Sequence, residues 1–316
     1  MTIRAFTFPG QGSQTVGMGK DLADAYPQAR AVFEEVDDAL GDKLSAVIFE
    51  GPDDTLRLTE NAQPALMAVS MAVMRVLEAE GVVLGRHAAF VAGHSLGEYS
   101  ALCAAGTFSL GDAARLLRTR GKAMQLAVPV GEGAMAAVLG LDLDAVLAIA
   151  EAASDAGVCE VANDNAPGQV VISGTAAAVE KAIALAKEKG AKRALPLPVS
   201  APFHCSLMTP AAGAMAEALA SVEMRSPVVP VVSNVLAAPV SDPDEIRRRL
   251  IEQVTGRVRW TECVLRMTQA GGVTQLVEIG AGKVLTGLAK RIDPAVAAVA
   301  LGQPGDIAPF LAELQA

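Results

Sequence analysis

Residues 90–98 read Phe-Val-Ala-Gly-His-Ser-Leu-Gly-Glu and decide the fold of the chain. They place the pattern G-x-S-x-G between a short apolar strand and a helical pattern, which is the context of a nucleophile elbow. In such an elbow a sharp turn holds the serine, here Ser95, at the carboxyl end of a sheet. Side chains at Gly93 and Gly97 would collide in this turn, so both positions are glycine. The segment predicts that Ser95 is a nucleophile.

The helix that begins after Ser95 adds a second prediction. Its first N–H groups and its dipole favour negative charge beside the serine. The backbone N–H of Leu96 is therefore a candidate donor to an oxyanion. One alternative stays open, because a glycine-flanked serine is also common as the N-cap of a helix without any catalytic role.

A serine nucleophile needs a base, and the chain has three histidines, His87, His94 and His204. His94 is adjacent to Ser95 in a tight turn and is expected to point away from it. His87 precedes the same strand, at the end far from the elbow. Elimination leaves His204 as the general base, the alternative being a structural or surface histidine. No motif marks an acid that would orient His204, so a lipase-type triad fits poorly.

Arg120 falls on the apolar stripe of a helix predicted near residues 111–127. Three other basic residues fall on the opposite, solvent-facing side: Arg115, Arg118 and Lys122. A buried guanidinium is costly unless it is paired, and its planar fork suits a carboxylate. Arg120 is therefore a candidate carboxylate-binding residue. The alternatives are a structural ion pair and an arginine whose charged end reaches solvent.

Outside the elbow, apolar strand-like runs alternate with helical patterns, which is typical of an α/β protein with a mainly parallel sheet. The predicted strands are Ile3–Phe8, Ala88–Gly93, Val228–Ser233 and Val273–Ile279. Predicted helices lie near residues 21–38, 64–80, 97–105, 111–127, 207–221, 244–254 and 282–291.

The middle of the chain has a different pattern. Its predicted order of elements is strand, helix, strand, strand, helix, strand, the βαββαβ order of a ferredoxin-like unit. Proline and glycine mark its two joints. We therefore predict a small subdomain over residues 129–198, inserted into a large domain formed by residues 1–128 and 199–316.

Composition limits the functions open to the chain. Of its 316 residues 52% are hydrophobic and 19% charged, with a formal net charge of −9, which excludes a disordered chain. The acidic total and the aromatic content of 3% argue against a nucleic-acid partner. The richest apolar stretch, from Ala65 to Met74, is too short to span a membrane. The amino terminus resembles a strand rather than a signal peptide. We expect a cytoplasmic monomer.

The cysteines give no sign of a metal site. They form no C-x-x-C pair, and three histidines are too few to suggest a metal cluster beside them. We expect reduced, partly buried thiols at all four positions, Cys103, Cys159, Cys205 and Cys263.

Several motifs occur in a fixed order over nearly the whole chain. They are Phe8-Pro-Gly-Gln-Gly-Ser-Gln14, Gln63-Pro-Ala, Gly93-His-Ser-Leu-Gly-Glu98, Arg120-Gly-Lys-Ala-Met124, Asn165-Ala-Pro-Gly-Gln169, Val258-Arg-Trp260 and Glu278-Ile-Gly-Ala-Gly-Lys-Val-Leu-Thr-Gly287. Together they resemble the malonyl-CoA:acyl carrier protein transacylase family of fatty acid synthesis. The fold that this resemblance implies is an α/β-hydrolase-like core with an inserted ferredoxin-like subdomain.

The resemblance also implies a role for each candidate residue. Ser95 is then the nucleophile, His204 the base, and Arg120 the residue that holds the free malonyl carboxylate. Two backbone N–H groups, of Gln11 and Leu96, would bind the oxyanion. The main-chain carbonyl of Gln253 would orient His204 in place of an acid. Gln63 and Asn165 match pocket-lining positions, and Phe203 resembles a bulky residue that excludes an α-methyl group.

The activity implied is transfer of a malonyl group from malonyl-CoA to acyl carrier protein through a malonyl-serine ester, without a metal or other cofactor. Carrier proteins of this family are acidic, so local basic clusters become candidate docking sites: Arg247-Arg248-Arg249, Arg257 with Arg259, and Lys290 with Arg291. Three alternatives stay open. They are an acyltransferase of a polyketide pathway, a serine esterase or thioesterase, and a non-catalytic module that binds acyl carriers.

Overall fold

The structure of the protein is a computed structural model, and it describes residues 2–199 and 201–315. Met1, Ser200 and Ala316, which the predicted large domain includes, lie outside the described residues. The strands are β1 (Arg4–Phe8), β2 (Phe90–Gly93), β3 (Gly133–Leu139), β4 (Cys159–Ala166), β5 (Gln169–Thr175), β6 (Arg193–Pro196), β7 (Val231–Val232), β8 (Pro239–Val240), β9 (Gln275–Ile279) and β10 (Ala297–Leu301).

The α-helices alternate with these strands over most of the chain. They are α1 (Lys20–Ala25), α2 (Pro27–Leu40), α3 (Leu44–Glu50), α4 (Asp53–Arg57), α5 (Thr59–Ala79), α6 (Leu84–His87), α7 (Gly97–Ala104), α8 (Leu110–Leu126), α9 (Leu143–Ala153), α10 (Ala176–Glu188), α11 (Thr209–Ala220), α12 (Pro243–Thr255), α13 (Trp260–Leu265), α14 (Val284–Ile292) and α15 (Pro304–Gln315). A π-helical turn, Arg266–Ala270, follows α13.

One six-stranded sheet runs in the order β10-β9-β1-β2-β7-β8. Its neighbouring strands are parallel except β7 and β8, which are antiparallel. The central strands β1 and β9 are almost wholly buried, as expected for a parallel sheet covered by helices on both faces. All four strands predicted for this sheet are present, although each is shorter than predicted. The predictions missed β8 and β10.

Helix α5 is the central helix of the larger core. All but a few of its residues are buried, so the helix is apolar around most of its circumference. It begins at Thr59 and contains Pro64 in its second turn, whereas the sequence predicted a start near residue 64. The predicted single helix over 21–38 is also two helices, because Pro27 begins α2 after an extended Tyr26.

A second sheet has four strands, all antiparallel, in the order β4-β5-β3-β6. With α9 and α10 it forms the strand, helix, strand, strand, helix, strand sequence predicted for the middle of the chain. These elements share a separate apolar cluster that includes Val138, Val146 and Ile172. The edge strand β4 joins the rest of the chain through Val258, whose backbone bonds to Ala162 and Asp164. The chain is therefore an α/β protein with a mainly parallel sheet and a separate antiparallel sheet.

Two further properties concern the described part of the chain as a whole. No helix within residues 2–199 and 201–315 has both the length and the apolar character needed to cross a membrane. All four cysteines are buried and unpaired, in agreement with the expected reduced thiols.

Candidate active site

The elbow predicted from residues 90–98 is present. Strand β2 ends at Gly93, helix α7 begins at Gly97, and Ser95 between them has a positive φ of 54°. A Cβ atom on Gly93 would lie 1.9 Å from the backbone of Gly97, and one on Gly97 would lie 2.3 Å from the carbonyl oxygen of Phe8. Both glycines are required, the second because the elbow packs directly on the end of β1.

Ser95 and His204 are in hydrogen-bond contact. The serine Oγ lies 2.7 Å from Nε2 of His204, and Nδ1 of the same ring lies 2.9 Å from the carbonyl oxygen of Gln253 and 3.1 Å from that of Gly256. Because both Nδ1 partners are acceptors, the proton of the neutral ring belongs on Nδ1. Nε2 is then free to accept the proton of the Ser95 hydroxyl.

Burial sets the charge of this base. Loss of solvent and, to a smaller extent, the positive charge of Arg120 together lower the pKa of His204 to about 3. The ring is therefore neutral at neutral pH. His204 also has a positive φ, 58°, so the two residues in contact share an uncommon backbone conformation.

The other two histidines do not reach the serine. Nε2 of His94 lies 2.8 Å from Oδ1 of Asn165, and the ring packs beside Trp260. His87 ends α6 and contacts the backbone of Val83. The structure thus places His204, and neither of the other two histidines, in contact with Ser95; that His204 acts as the base stays a prediction.

Arg120 is 1% exposed and reaches the same site. Its Nη1 donates to Oε1 of Gln63 at 2.8 Å, and its Nη2 donates to Oε1 of Gln253 at 2.9 Å and to Oγ of Ser95 at 3.2 Å. The guanidinium also lies 5.7 Å from the centre of the Tyr99 ring. All three hydrogen-bond partners are neutral, and within the described residues Arg120 forms no ion pair. A buried cation without a partner carboxylate is suited to bind a carboxylate ligand.

Of the basic residues predicted to face solvent on α8, two do so and one does not. Arg115 and Lys122 are exposed. Arg118 is partly buried, because its guanidinium donates to Asn61 and to Asp42. The prediction for Arg118 was wrong because a neighbouring loop and helix cover that part of the helix surface.

A cavity of about 260 Å³ lies over Ser95, and it brings together most of the predicted site residues. Those that line it are Gln11, Gln63, Ser95, Leu96, Arg120, Phe203 and His204. The backbone N–H groups of Gln11 and Leu96 donate to no other described residue, so both are free for a ligand oxygen. A larger cavity, about 370 Å³, lies away from Ser95, between the loops around Gly17 and Gly282.

The placement of Asn165 corrects one prediction. Asn165 does not line the cavity, because its side chain lies behind His94 and bonds to that ring. Asn163, two residues earlier in β4, lines the cavity instead. Residues two apart face the same side of a regular strand, but β4 is irregular between Val161 and Ala166. The sequence therefore did not fix which asparagine lines the cavity.

Sequence reasoning missed the residues that support this site from behind. Oδ1 of Asn234 accepts from the backbone N–H of Ser95 at 2.8 Å, and its Nδ2 donates to the carbonyl of Gly93 at 2.7 Å. Oε2 of Glu98 accepts from Nε2 of Gln253 at 2.8 Å and from the backbone N–H of Asn234 at 3.1 Å. Nothing in the sequence around Asn234 indicates this contact, since its partners are far away in the chain.

Across residues 2–199 and 201–315, no group of three or more His, Cys, Asp or Glu residues is arranged to hold a metal ion.

Known proteins are similar to this chain in sequence and in fold. The acyl transferase domain family matches residues 5–294. The chain is 48% identical over 308 residues to the malonyl CoA-acyl carrier protein transacylase of Bacillus subtilis, covering 97% of this chain and 96% of that protein. It is 50% identical over 311 residues to the protein of the same name from Escherichia coli, covering 98% and 99%.

Solved structures agree with these similarities. The crystal structure of an acyl-carrier-protein-S-malonyltransferase from Bartonella henselae has a TM-score of 0.97 at 59% identity, covering 99% of this chain and 100% of that one. A type II PKS acyl-carrier protein in complex with its malonyl-transacylase gives a TM-score of 0.95 at 44% identity, covering 99% and 100%.

Proposed function

This chain belongs to the acyl transferase domain family and, within it, to the malonyl CoA-acyl carrier protein transacylases; from that premise we propose how it works. It transfers the malonyl group of malonyl-CoA to the phosphopantetheine thiol of acyl carrier protein and so supplies fatty acid synthesis. One observation carries the assignment of the site. A buried Arg120 without a carboxylate partner lies 3.2 Å from a serine hydroxyl that faces a neutral histidine.

The first half-reaction begins at Ser95. His204 takes the hydroxyl proton on Nε2 while Oγ attacks the thioester carbonyl carbon of malonyl-CoA. The oxyanion formed on the carbonyl oxygen is stabilised by the free N–H groups of Gln11 and Leu96. When the carbon–sulfur bond breaks, the proton on His204 passes to the departing sulfur. Coenzyme A then leaves, and the malonyl group stays on Ser95 as an ester.

The second half-reaction uses the same groups in reverse. Nε2 of His204 takes the proton of the carrier thiol, and the sulfur attacks the ester carbonyl of malonyl-Ser95. The carbon–oxygen bond breaks, and the proton returns to Oγ. In both halves the carbonyl of Gln253 holds Nδ1 of His204, so the ring keeps its orientation without an acid. These steps use no metal ion and no other cofactor, and the absence of a cofactor remains our prediction.

The malonyl carboxylate is the part of the substrate that Arg120 would recognise. The guanidinium already lies beside Oγ of Ser95, so an acyl group attached there can place its free carboxylate on the guanidinium. An acetyl group would leave this buried cation unpaired. We therefore assign Gln63 and Gln253 to holding the guanidinium in place, and Phe203 to one wall of the acyl cavity.

The finer description of the fold is part of the same proposal. We interpret residues 129–198 as a ferredoxin-like subdomain inserted into an α/β-hydrolase-like domain of residues 1–128 and 199–316. The separate apolar cluster and the strand order β4-β5-β3-β6 support this division. The cytoplasmic location and the monomeric state remain predictions.

The carrier protein would dock at an exposed basic surface. In two of the three predicted clusters every arginine except the partly buried Arg247 forms an ion pair with an acid nearby in the chain, as for Arg249 with Glu245 and Arg259 with Glu262. Lys290 forms no ion pair with any residue in the described ranges, so we place the dock at Lys290 and Arg291. Lys290→Glu should raise the KM for carrier protein several-fold and leave the KM for malonyl-CoA unchanged.

A polyketide pathway is the second candidate, because one similar structure is that of a type II PKS malonyl-transacylase bound to its acyl-carrier protein. The reaction is the same, and only the carrier differs. Comparing kcat/KM for fatty acid and polyketide carrier proteins separates the two pathways.

The central experiment is to incubate the protein with malonyl-CoA and holo acyl carrier protein and to weigh both proteins by mass spectrometry. We expect a malonyl adduct on the peptide that contains Ser95 and a malonylated carrier. Ser95→Ala should form neither. Free malonate without malonylated carrier would identify a thioesterase, and an adduct that persists on the alanine variant would remove Ser95 as the nucleophile.

A further inference from the structure

Glu98 is a buried carboxyl group in the first turn of α7, and the steps above do not use it. It is 1% exposed, and it has no basic partner within hydrogen-bond distance in the described part of the chain. Its Oε2 atom instead accepts two neutral N–H groups, from the side chain of Gln253 and from the backbone of Asn234. Burying a carboxyl group that has only neutral donors costs folding free energy. We therefore expect Glu98 to contribute something at this position in return, and its contacts indicate a role beside the site.

The side-chain amide of Gln253 is held in one orientation by hydrogen bonds at both its nitrogen and its oxygen. Its Nε2 donates to Glu98 at 2.8 Å and to the carbonyl of Ser95 at 2.9 Å, and its Oε1 accepts from Arg120 at 2.9 Å. The main-chain carbonyl of the same residue accepts from His204. If the amide were reversed, its N–H groups would face the guanidinium, and the hydrogen bond to Arg120 would be lost.

Asn234 brings the nucleophile into the same arrangement. Its side chain bonds to the backbone of Ser95 and Gly93, and its own N–H donates to Glu98. Oε2 of Glu98 therefore accepts hydrogen bonds from two residues. One is Asn234, which holds the elbow, and the other is Gln253, which contacts Arg120. No other described carboxyl group contacts either of them.

We propose that Glu98 is a positioning residue: its Oε2 fixes the amide of Gln253, and through that amide the guanidinium of Arg120, in the orientation that receives the malonyl carboxylate. This inference rests on the proposed function, because it concerns the same acyl site. The role belongs to the acceptor atom at its place and not to the negative charge. A correctly held Arg120 raises kcat/KM for malonyl-CoA and not for acetyl-CoA, which has no carboxylate to pair.

Two conservative variants distinguish the position of the acceptor oxygen of Glu98 from its negative charge. Glu98→Gln keeps an acceptor oxygen at the end of a side chain of the same length and removes the charge. Glu98→Asp keeps the charge and withdraws the carboxylate by one methylene, out of reach of Gln253. We expect Glu98→Gln to retain the wild-type ratio of kcat/KM for malonyl-CoA to kcat/KM for acetyl-CoA. Glu98→Asp should lower this ratio about tenfold, the effect of one lost hydrogen bond to a side chain that must stay oriented.

Three outcomes would overturn the proposal. A ratio lowered by Glu98→Gln but kept by Glu98→Asp would assign the effect to charge. A ratio unchanged in both variants, even with a lower melting temperature, would make Glu98 merely structural. A ratio lowered equally in both would show that neither length nor acceptor decides.

The melting temperature of each variant and a matched control complete the design. Glu78→Asp shortens a partly exposed glutamate on α5, away from the cavity, by the same methylene and should leave both values of kcat/KM unchanged. The wild type separates this inference from the proposed function. Wild-type protein that transfers no malonyl group refutes the function, whereas wild-type transfer with an unchanged ratio in Glu98→Asp refutes only the role of Glu98.

Discussion

Nη2 of Arg120 lies 3.2 Å from Oγ of Ser95, the atom that also faces Nε2 of His204 at 2.7 Å. The hydroxyl thus lies between a neutral base and a fixed positive charge. The charge stabilises the oxygen as it loses its proton, but it also lowers the pKa of His204. A malonyl carboxylate on Arg120 would balance the charge, so the base should be stronger in the malonyl-enzyme than in the free enzyme.

Replacing Arg120 by alanine should remove the preference for malonyl. We expect kcat/KM for malonyl-CoA to fall about 100-fold, equivalent to about 3 kcal/mol for a lost buried charge pair. The value for acetyl-CoA should fall far less, so the gap between the two narrows. The melting temperature should change by a few degrees only, because the lost hydrogen-bond partners of Arg120 are neutral side chains. Arg115→Ala, on the exposed face of the same helix, is the control, and an unchanged malonyl-to-acetyl ratio would exclude Arg120 from the site.

Removing the base should slow both half-reactions. His204→Ala is expected to lower the rate of malonyl-enzyme formation by about 10²–10⁴, the range for a lost general base. Rapid-quench mass spectrometry of the peptide that contains Ser95 measures this rate directly. His87→Ala, which changes a histidine far from the elbow, should react like the wild type. Wild-type rates in His204→Ala would mean that another group takes the proton.

The fall of activity on the acid side of the pH–rate profile should begin at an unusually low pH. Because burial and Arg120 lower the pKa of His204 to about 3, the ring stays in its base form well below the ordinary histidine pKa of 6.5. We expect kcat/KM for malonyl-enzyme formation to stay level from pH 8 to about pH 5. Burial raises the pKa of Glu98 to about 7, so Glu98→Gln is the control for titration there. Half-loss of activity near pH 6.5 in both proteins would contradict the neutral, buried base.

Widening the cavity at Phe203 should admit a branched acyl group. The ring lines the cavity one residue before His204, and we predict that it leaves too little room for an α-methyl group. In Phe203→Ala we expect the ratio of kcat/KM for methylmalonyl-CoA to kcat/KM for malonyl-CoA to rise at least tenfold. This is within the range of discrimination that one methyl group produces in an apolar pocket. Phe49→Ala, a loss of packing away from the cavity, controls for destabilisation. A ratio that does not move would place the selection elsewhere.

The elbow should tolerate no side chain at Gly97. A Cβ there would lie 2.3 Å from the carbonyl oxygen of Phe8 and 2.8 Å from that of Pro9, and both are backbone atoms. Gly97→Ala should lower the free energy of unfolding by about 3 kcal/mol and abolish transfer. The matched control is Gly213→Ala in α11, where a Cβ meets nothing within 4 Å and should stabilise the helix by up to about 1 kcal/mol. Equal unfolding curves for the two variants would refute the clash.

What the sequence could predict depended on local contacts. The elbow was accessible because its strand, its glycines and its helix are consecutive in the chain. The burial of Arg120 followed from helical periodicity alone. Helix α15 was missed because Pro309 lies inside it, and a proline within a helical pattern usually ends the helix. Strand β10 was missed because it is short and mostly half-buried, and its pairing with β9 joins segments that are apart in the chain.

The supporting residues could not be predicted, because their contacts join distant parts of the chain. Asn234 and Ser95 are 139 residues apart, and Gln253 and Glu98 are 155 apart. Glu98 ends the motif Gly93-His-Ser-Leu-Gly-Glu98, yet nothing in the neighbouring sequence distinguishes it from a solvent-facing glutamate in a first helical turn. Its role emerges only when the packing of α12 against the elbow is known.

The positive φ angles of Ser95 and His204 also limit how heat-resistant this protein can become. Each left-handed residue other than glycine stores about 1–3 kcal/mol of conformational energy, which the surrounding packing must offset. Glycine at either position would release that energy and destroy the chemistry. Selection for thermal tolerance must therefore act on the rest of the molecule, since the proposed nucleophile and the proposed base both have this energetically unfavourable backbone conformation.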